Sequence, residues 1–402
     1  MKKIVAMLLV LAVALALVAC AGDDGGNNTN PTPTPPPTTP APTPGTAADG
    51  NTPPDLPPVG EHVPEGDNTI GFVTDNVDHW DRPSYHIVYY NFEITALTAQ
   101  ITDAYTRLGE VYNFTVEQLT ANGDPDLYIT NLHTILLRGP DGVVVDMRQE
   151  LAPRVAQVLS EYDVPAVCLF NKTTDANDVN LIPTVIMDQF YNGGRQLEFL
   201  DSIYTQYWGN IDKSEIRLLI LDWSTNMDIN MRAQGAEAKW KELYGNQEFI
   251  YGDTAPIGLS SEAGYDVVNS ILAANPDVQY WFIVGTLEDI VLGGSRAVEA
   301  LGKEDTVLMT GSGASILPGE WDAGYDGVWI ANYAIPPFLY AGTGLFGLLA
   351  MIDGRADTGT LWPDYFLSQD KAARFMLGAD MMTRANYVEY IANILRSFGV
   401  EP

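Results

Sequence analysis

Gly142-Val-Val-Val-Asp146, a helical stretch over 151–162 and Val164-Pro-Ala-Val-Cys-Leu-Phe170 follow one another within about 30 residues, the length of one strand–helix–strand unit. Both strands are continuous apolar runs rather than alternating ones, which is how a parallel strand covered on both faces reads. Working outward, the alternation recurs. Upstream, the pattern predicts a strand at 69–74, a loop at 75–92, and a helix at 94–112 with Ile94, Leu97, Ile101, Tyr105 and Leu108 at helical spacing. A strand at 114–116 and a helix at 126–137 complete that side. Downstream come a strand at 183–187 and a helix at 194–207. The cycle then restarts, with strands at 217–221, 248–251, 280–284, 306–309 and 327–331 and helices at 231–244, 263–274 and 290–301. Two such series predict an α/β chain of two doubly wound parallel-sheet lobes. In such sheets ligands gather at the carboxyl ends of the strands.

The rest of the chain fits this reading. Half of the 26 prolines fall between Pro31 and Pro64, so residues 21–68 read as a disordered Pro/Thr-rich tether that cannot bury enough surface to fold. The roughly 330 residues after it exceed the 250–300 at which one core usually stops growing, so two lobes are expected. Residues 1–20 read as a signal peptide: Lys2 and Lys3, then an apolar run too short to span a bilayer, ending Leu17-Val18-Ala19-Cys20. Small residues before a cysteine form a lipobox, so Cys20 is the expected lipidation site, and two acyl chains suffice for stable anchoring. Cys168 is then the one remaining cysteine and reads as a small buried hydrophobe. Formal charge is −31, and removal of Lys2 and Lys3 leaves 19 basic against 52 acidic residues. Such a surface repels phosphate backbones and excludes nucleic acid as a partner.

The residues just after the strands are mostly polar: Asp75, Asn76, Asp78 and Trp80; Asp146; Asn171 and Lys172; Asp222, Asn226, Asp228 and Arg232; Glu288 and Asp289; Ser312; Asn332. Directed donors and acceptors beside an aromatic face suit a polyhydroxylated ring, whose hydroxyls need partners once buried. Enzyme readings find less material. No histidine stands in a plausible triad, and no metal-ligand spacing appears. Glu288 and Asp289 are adjacent rather than spaced as a glycosidase pair. Gly342-Thr-Gly344-Leu-Phe-Gly347 fits a dinucleotide fingerprint in letters only, lying too far from a strand, and reads as a close-packing helix face.

On these residues the chain resembles the type I periplasmic binding proteins, solute-binding components of ABC importers, most nearly the galactose/glucose-binding branch. The matching segments are DGVVVD (141–146), VPAVCLFNK (164–172), ANPDVQYWF (274–282), VLGGSRAVEALGK (291–303) and RANYVEY (384–390). The resemblance implies a pocket built from Asp78, Trp80, Asp146, Asn171, Asn226, Asp228, Arg232, Glu288, Ser312 and Asn332, with Asn226 where the family usually has histidine. Leu259 stands where a second-lobe tryptophan is usual, Leu287 where an asparagine is usual, and Ser312 where an aspartate is usual. GNIDKSEIR (209–217) lacks the spacing of the branch's calcium loop, so no metal is expected.

The resemblance further implies a three-crossing hinge, near Asp188, near Asn332–Tyr333 and near Leu361. The first lobe would be 69–188 plus 333–360 and the second 189–332 plus 361–402. The expected role is a monomeric, lipid-anchored extracytoplasmic receptor. It binds a sugar-like ligand between closing lobes and delivers it to an ABC permease, with no catalysis and no cofactor. The alternative is a sensory sugar-binding lipoprotein that signals through a membrane receptor. Arg232→Ala or Asp228→Ala is expected to weaken ligand binding while leaving the unliganded fold untouched.

Overall fold

The computed structural model describes residues 84–402 apart from Thr95, Ile335, Phe366 and Ser368. The signal segment with Cys20, the tether, the strand at 69–74, Asp78 and Trp80 lie outside the described residues.

Two six-stranded sheets organise the chain. The first has the order β11-β5-β4-β3-β1-β2, made of β1 (Tyr85–Asn91), β2 (Phe114–Thr120), β3 (Gly142–Asp146), β4 (Ala166–Leu169), β5 (Thr184–Met187) and β11 (Arg374–Leu377). Every pairing in it is parallel. The second has the order β12-β10-β9-β8-β6-β7, from β6 (Ile216–Asp222), β7 (Phe249–Asp253), β8 (Tyr280–Gly285), β9 (Val307–Ser312), β10 (Trp329–Ala334) and β12 (Asp380–Thr383). Only β12 runs antiparallel there, against β10. Each sheet has apolar clusters on both faces, which is why its central strands are apolar throughout.

Helices α1 (Ala96–Tyr112), α2 (Pro125–Leu137), α3 (Ala152–Leu159) and α9 (Pro337–Ile352) accompany the first sheet. Helices α4 (Gln189–Trp208), α5 (Met227–Tyr244), α6 (Ser261–Ala274), α7 (Glu288–Ala300) and α8 (Leu317–Asp322) accompany the second, and α10 (Tyr387–Ser397) ends the chain. No helix among the described residues is long and apolar enough to cross a membrane.

Two expectations are corrected. The first described strand is β1 at 85–91, inside the stretch read as a loop. Its Ile87-Val-Tyr-Tyr90 core is fully covered because β1 lies between β3 and β2. Two tyrosines in a row read as half-polar in sequence, yet a buried parallel strand accepts them. The placement of 361–402 in the second lobe does not describe β11. Strand β11 pairs in parallel with β5 of the first sheet, and the next strand, β12, pairs with β10 of the second. The third crossing therefore lies between β11 and β12, at 378–379, instead of near Leu361.

Two close helix contacts hold the elements that carry the strand-end residues. Helices α4 and α5 meet backbone to backbone: a Cβ on Gly193 would sit 1.7 Å from the Arg232 carbonyl oxygen, and one on Gly235 would sit 1.8 Å from that of Phe190. The Gly342/Gly344/Gly347 face of α9 packs as a close-approach surface. Added Cβ atoms would strike the Phe398 ring, the Leu169 side chain and the Trp362 ring at 2.3, 2.6 and 2.4 Å. Gly193→Ala must push α4 and α5 apart, so denaturant unfolding should show a loss of about 1–3 kcal/mol or more. An unchanged midpoint would contradict the crossing.

Candidate ligand-binding cleft

Strand order reverses between β1 and β3 in the first sheet and between β6 and β8 in the second. Crevices open outside the carboxyl ends of strands at such switch points. The residues there are Asp146 at the end of β3, and Asp222 and Thr286 at the ends of β6 and β8.

Asp146 accepts a 3.3 Å bond from Asn171 Nδ2, at the end of β4. Burial pushes the Asp146 carboxyl up to about 7; the Asn171 bond opposes this and the Glu93 charge adds to it. Asn171 and Asp146, each read from the sequence as a candidate pocket residue, are thus brought together.

On the other lobe, Asn226 is the N-cap of α5, its Oδ1 accepting from the Ile229 backbone N–H at 3.1 Å. That fixes where the helix starts, four residues earlier than the sequence pattern suggests, and puts Asp228 in its first turn. Burial raises the Asp228 carboxyl, while Lys172 of the first lobe and Arg232 one turn on pull it down. Arg232 does not pair with Asp228. It donates from Nε to Gln189 Oε1 and from Nη1 to the Thr286 carbonyl oxygen, both at 2.6 Å. The close α4–α5 crossing at Gly193 brings the start of α4, and so Gln189, within reach. Burial lowers the Arg232 guanidinium; Tyr340 of α9, Asp228 and Asp222 counter it. Asp222 is buried, with one oxygen 2.6 Å from Asn230 Nδ2 and the other without a hydrogen-bond partner. Charges of both lobes therefore bear on the Asp228–Arg232 pair.

Three further predicted pocket residues make hydrogen bonds within the second lobe. Glu288 is buried, and its carboxylate accepts from the backbone N–H groups of Ser315, Ile316 and Leu317 at 2.8, 3.1 and 3.0 Å and from Asn332 Nδ2 at 2.8 Å. Asn332, wholly buried, also donates to the Gly313 carbonyl oxygen and accepts from Trp329 Nε1 at 2.7 Å. Ser312 accepts a 2.7 Å bond from Asn192 Nδ2. Their polar atoms are engaged inside the second lobe, anchoring the loop between β9 and α8. That loop carries Ser315, which donates across the cleft to Gln100 Oε1 on α1 at 2.8 Å.

The sequence reading missed Gln189, Thr286 and Tyr340 as neighbours of Arg232. Gln189 follows a hinge crossing, Thr286 acts through a backbone carbonyl, and Tyr340 sits in an apolar helix, so residue type marks none of them. Asp222 and Lys172 did carry a signal, as polar residues directly after strands.

Two mainly parallel α/β sheets, each with its own switch point, give the chain the periplasmic binding protein type I fold. The sequence matches the family described as periplasmic binding proteins and sugar binding domain of LacI family over residues 91–314. The chain belongs to that family. No curated protein sequence matches it. Among solved structures, the chain is similar to a solute-binding protein from Actinobacillus succinogenes with bound D-allose. The TM-score is 0.61 and the identity 13%, over 76% of this chain and 100% of that one. It is also similar to one from Bacillus halodurans with bound myo-inositol (0.58, 16%, 77% and 98%), and to an arabinose-binding protein from Geobacillus stearothermophilus (0.59, 16%, 77% and 99%).

Two outcomes check this geometry. An acid whose folded pKa lies above its unfolded value favours folding at low pH and loses that contribution as pH rises through the folded pKa. Asp146→Asn should therefore raise the unliganded Tm at pH 8, with the gain vanishing towards pH 4; a gain independent of pH would contradict the burial. Glu288→Ala strands four donors and should cost about 3 kcal/mol in chemical denaturation, with ligand affinity nearly unchanged where the fold persists.

Proposed function

We propose that the chain is a lipid-anchored extracytoplasmic solute-binding protein of an ABC importer. It captures a monosaccharide or similar polyhydroxylated small molecule between two closing lobes. The observation that carries this reading is the convergence at Asp228 and Arg232. The pair stands at one lobe's switch point and is coupled to Lys172 and Tyr340 of the other lobe. Arg232 uses two of its five N–H groups internally, so its fork retains donors for a hydroxyl pair or ring oxygen, and Asp228 accepts hydroxyl protons. On the first lobe, Asn171 and Asp146 offer a complementary amide and carboxyl. Two of the similar structures hold D-allose and myo-inositol and a third is an arabinose-binding protein, and all three are ligands of this size and polarity. Ligand bridging both faces favours the closed form by its differential affinity for it, and the closed form is what a permease reads. The chemistry asked of these groups is hydrogen bonding, with no bond made or broken.

A thermal-shift screen against monosaccharides, cyclitols and nucleosides should single out polyhydroxylated rings, because a ligand of the folded state raises Tm. Asp228→Ala should then weaken binding by about tenfold to a hundredfold in calorimetry, with the unliganded Tm held. Arg232→Ala should weaken binding as much but also lower the unliganded Tm, since Gln189 and the Thr286 carbonyl lose their donor. That departs from the sequence-based expectation of an untouched fold. Parent-like affinity in both variants would remove the pair from the pocket.

A further inference from the structure

We propose that α10 and the residues after it, Phe398–Val400, form a brace across the hinge that favours the closed arrangement of the lobes. The proposal rests on the closing-lobe part of the reading above and adds a non-covalent tie to the three chain crossings.

Helix α10 begins on the second lobe. The ring of Tyr387 lies 5.1 Å from that of Trp321, and its hydroxyl donates to Asp322 Oδ1 at 2.6 Å. One turn on, the Tyr390 hydroxyl donates to the Ala334 carbonyl oxygen at 2.7 Å and accepts from the Asp380 N–H at 3.4 Å. Ala334 is the last residue of β10, at the second crossing, and Asp380 is the first residue of β12, just after the third. One phenol thus links two crossings. Ile391, next to it, packs against apolar clusters of both lobes.

The other end of α10 is anchored in the first lobe. Leu395, Phe398 and Val400 are buried in the apolar cluster that covers one face of the first sheet. The Phe398 ring stacks on Phe346 of α9 at 5.5 Å and 13°, against Gly342, where any Cβ would strike it. From α1, the Tyr112 hydroxyl donates to the Phe398 carbonyl oxygen at 2.8 Å and Arg107 Nη2 to that of Glu401 at 2.7 Å. A helix-ending turn puts these residues there. Gly399, with φ +68°, donates to the Arg396 carbonyl oxygen, and the Val400 N–H returns to that of Leu395, burying Val400 beside Leu395. A tail helix that only capped one lobe would have no such second anchor. Movement of α1 and α9 away from β10 and β12 must strain one anchor or the other. The Ser315–Gln100 bond across the lobes marks the conformation in which both anchors are engaged as the one with the lobes in contact. The brace therefore adds to the stability of that form.

The test is the distance between lobes, read by electron–electron dipolar spectroscopy in the full chain carrying Cys20→Ser. Nitroxides are placed at Leu127→Cys and Ile257→Cys, exposed positions just beyond strand ends of opposite lobes; Cys168 is buried and takes no label. The labelled parent, Tyr390→Phe and Phe398→Ala are compared with and without D-allose, L-arabinose or myo-inositol. Both variants should show a longer and broader unliganded distance than the parent. Tyr390→Phe should do so with Tm held within a few degrees, whereas Phe398→Ala should also lower Tm; if Phe398→Ala does not fold, Tyr390→Phe decides alone. A sugar that selects the closed form should bind the variants about threefold to tenfold more weakly, because the competent fraction falls. Parent-like distances in the folded variants, whatever their Tm, would overturn the brace. If the distance still shortens with sugar, the closing-lobe reading stands without it. A distance that responds to neither sugar nor variant would overturn both.

Discussion

A half-buried guanidinium held by two neutral acceptors ties the start of α5 to α4 and to the end of β8. Arg232 lies over the ends of β6 and β8, bonded to Gln189 and to a backbone carbonyl rather than to a carboxylate. A charge in that position is costly unless polar groups surround it. Asp222, Asp228 and Tyr340 supply that surrounding without an ion pair, which keeps part of the fork available. The arrangement depends on backbone: α5 must approach α4 closely enough for Arg232 to reach the residue after the hinge, and only glycine at 193 and 235 permits it. A helix contact, a hinge crossing and the Arg232 guanidinium thus become one unit.

The polar residues at the strand ends divide into two kinds of work. Asp146, Asn171, Asp228 and Arg232 stand at or near the carboxyl ends of the strands at the two switch points. Glu288, Ser312 and Asn332 spend their hydrogen-bonding capacity on the loop that presents Ser315 to Gln100. The first group is the one we propose for ligand binding; the second holds the loop between β9 and α8 in place. Saturating a buried carboxylate with backbone N–H groups makes a rigid anchor, whereas the half-satisfied Asp146 and Asp222 retain capacity at the switch points.

Much of this was legible in the sequence. Continuous apolar runs at β3, β4, β6 and β8 announce parallel strands, and their ends announce Asp146, Asn171 and Asp222. Spacing alone put Asp228 and Arg232 on one helical face. Other features were hidden for physical reasons. β1 reads as a loop because tyrosines look polar until both faces are covered. β11 and β12 are four-residue strands whose pairing is decided by chain return, far from any local signal. The hydrogen bonds that Glu288 and Asn332 make within the lobe were hidden because residue type does not reveal which lone pairs a fold occupies. Gln189 and Tyr340 gain meaning only from a helix crossing and a hinge.

The central claim is that one ligand engages both lobes at once. Hydrogen–deuterium exchange of the protein, with and without a saturating concentration of the tightest sugar from the screen, tests it most directly. The account predicts slowed exchange in two places together, the segment around Asn171 and Lys172 and the first turns of α5 around Asp228 and Arg232. Protection confined to one of these segments, or found in neither while the sugar is bound, would contradict it.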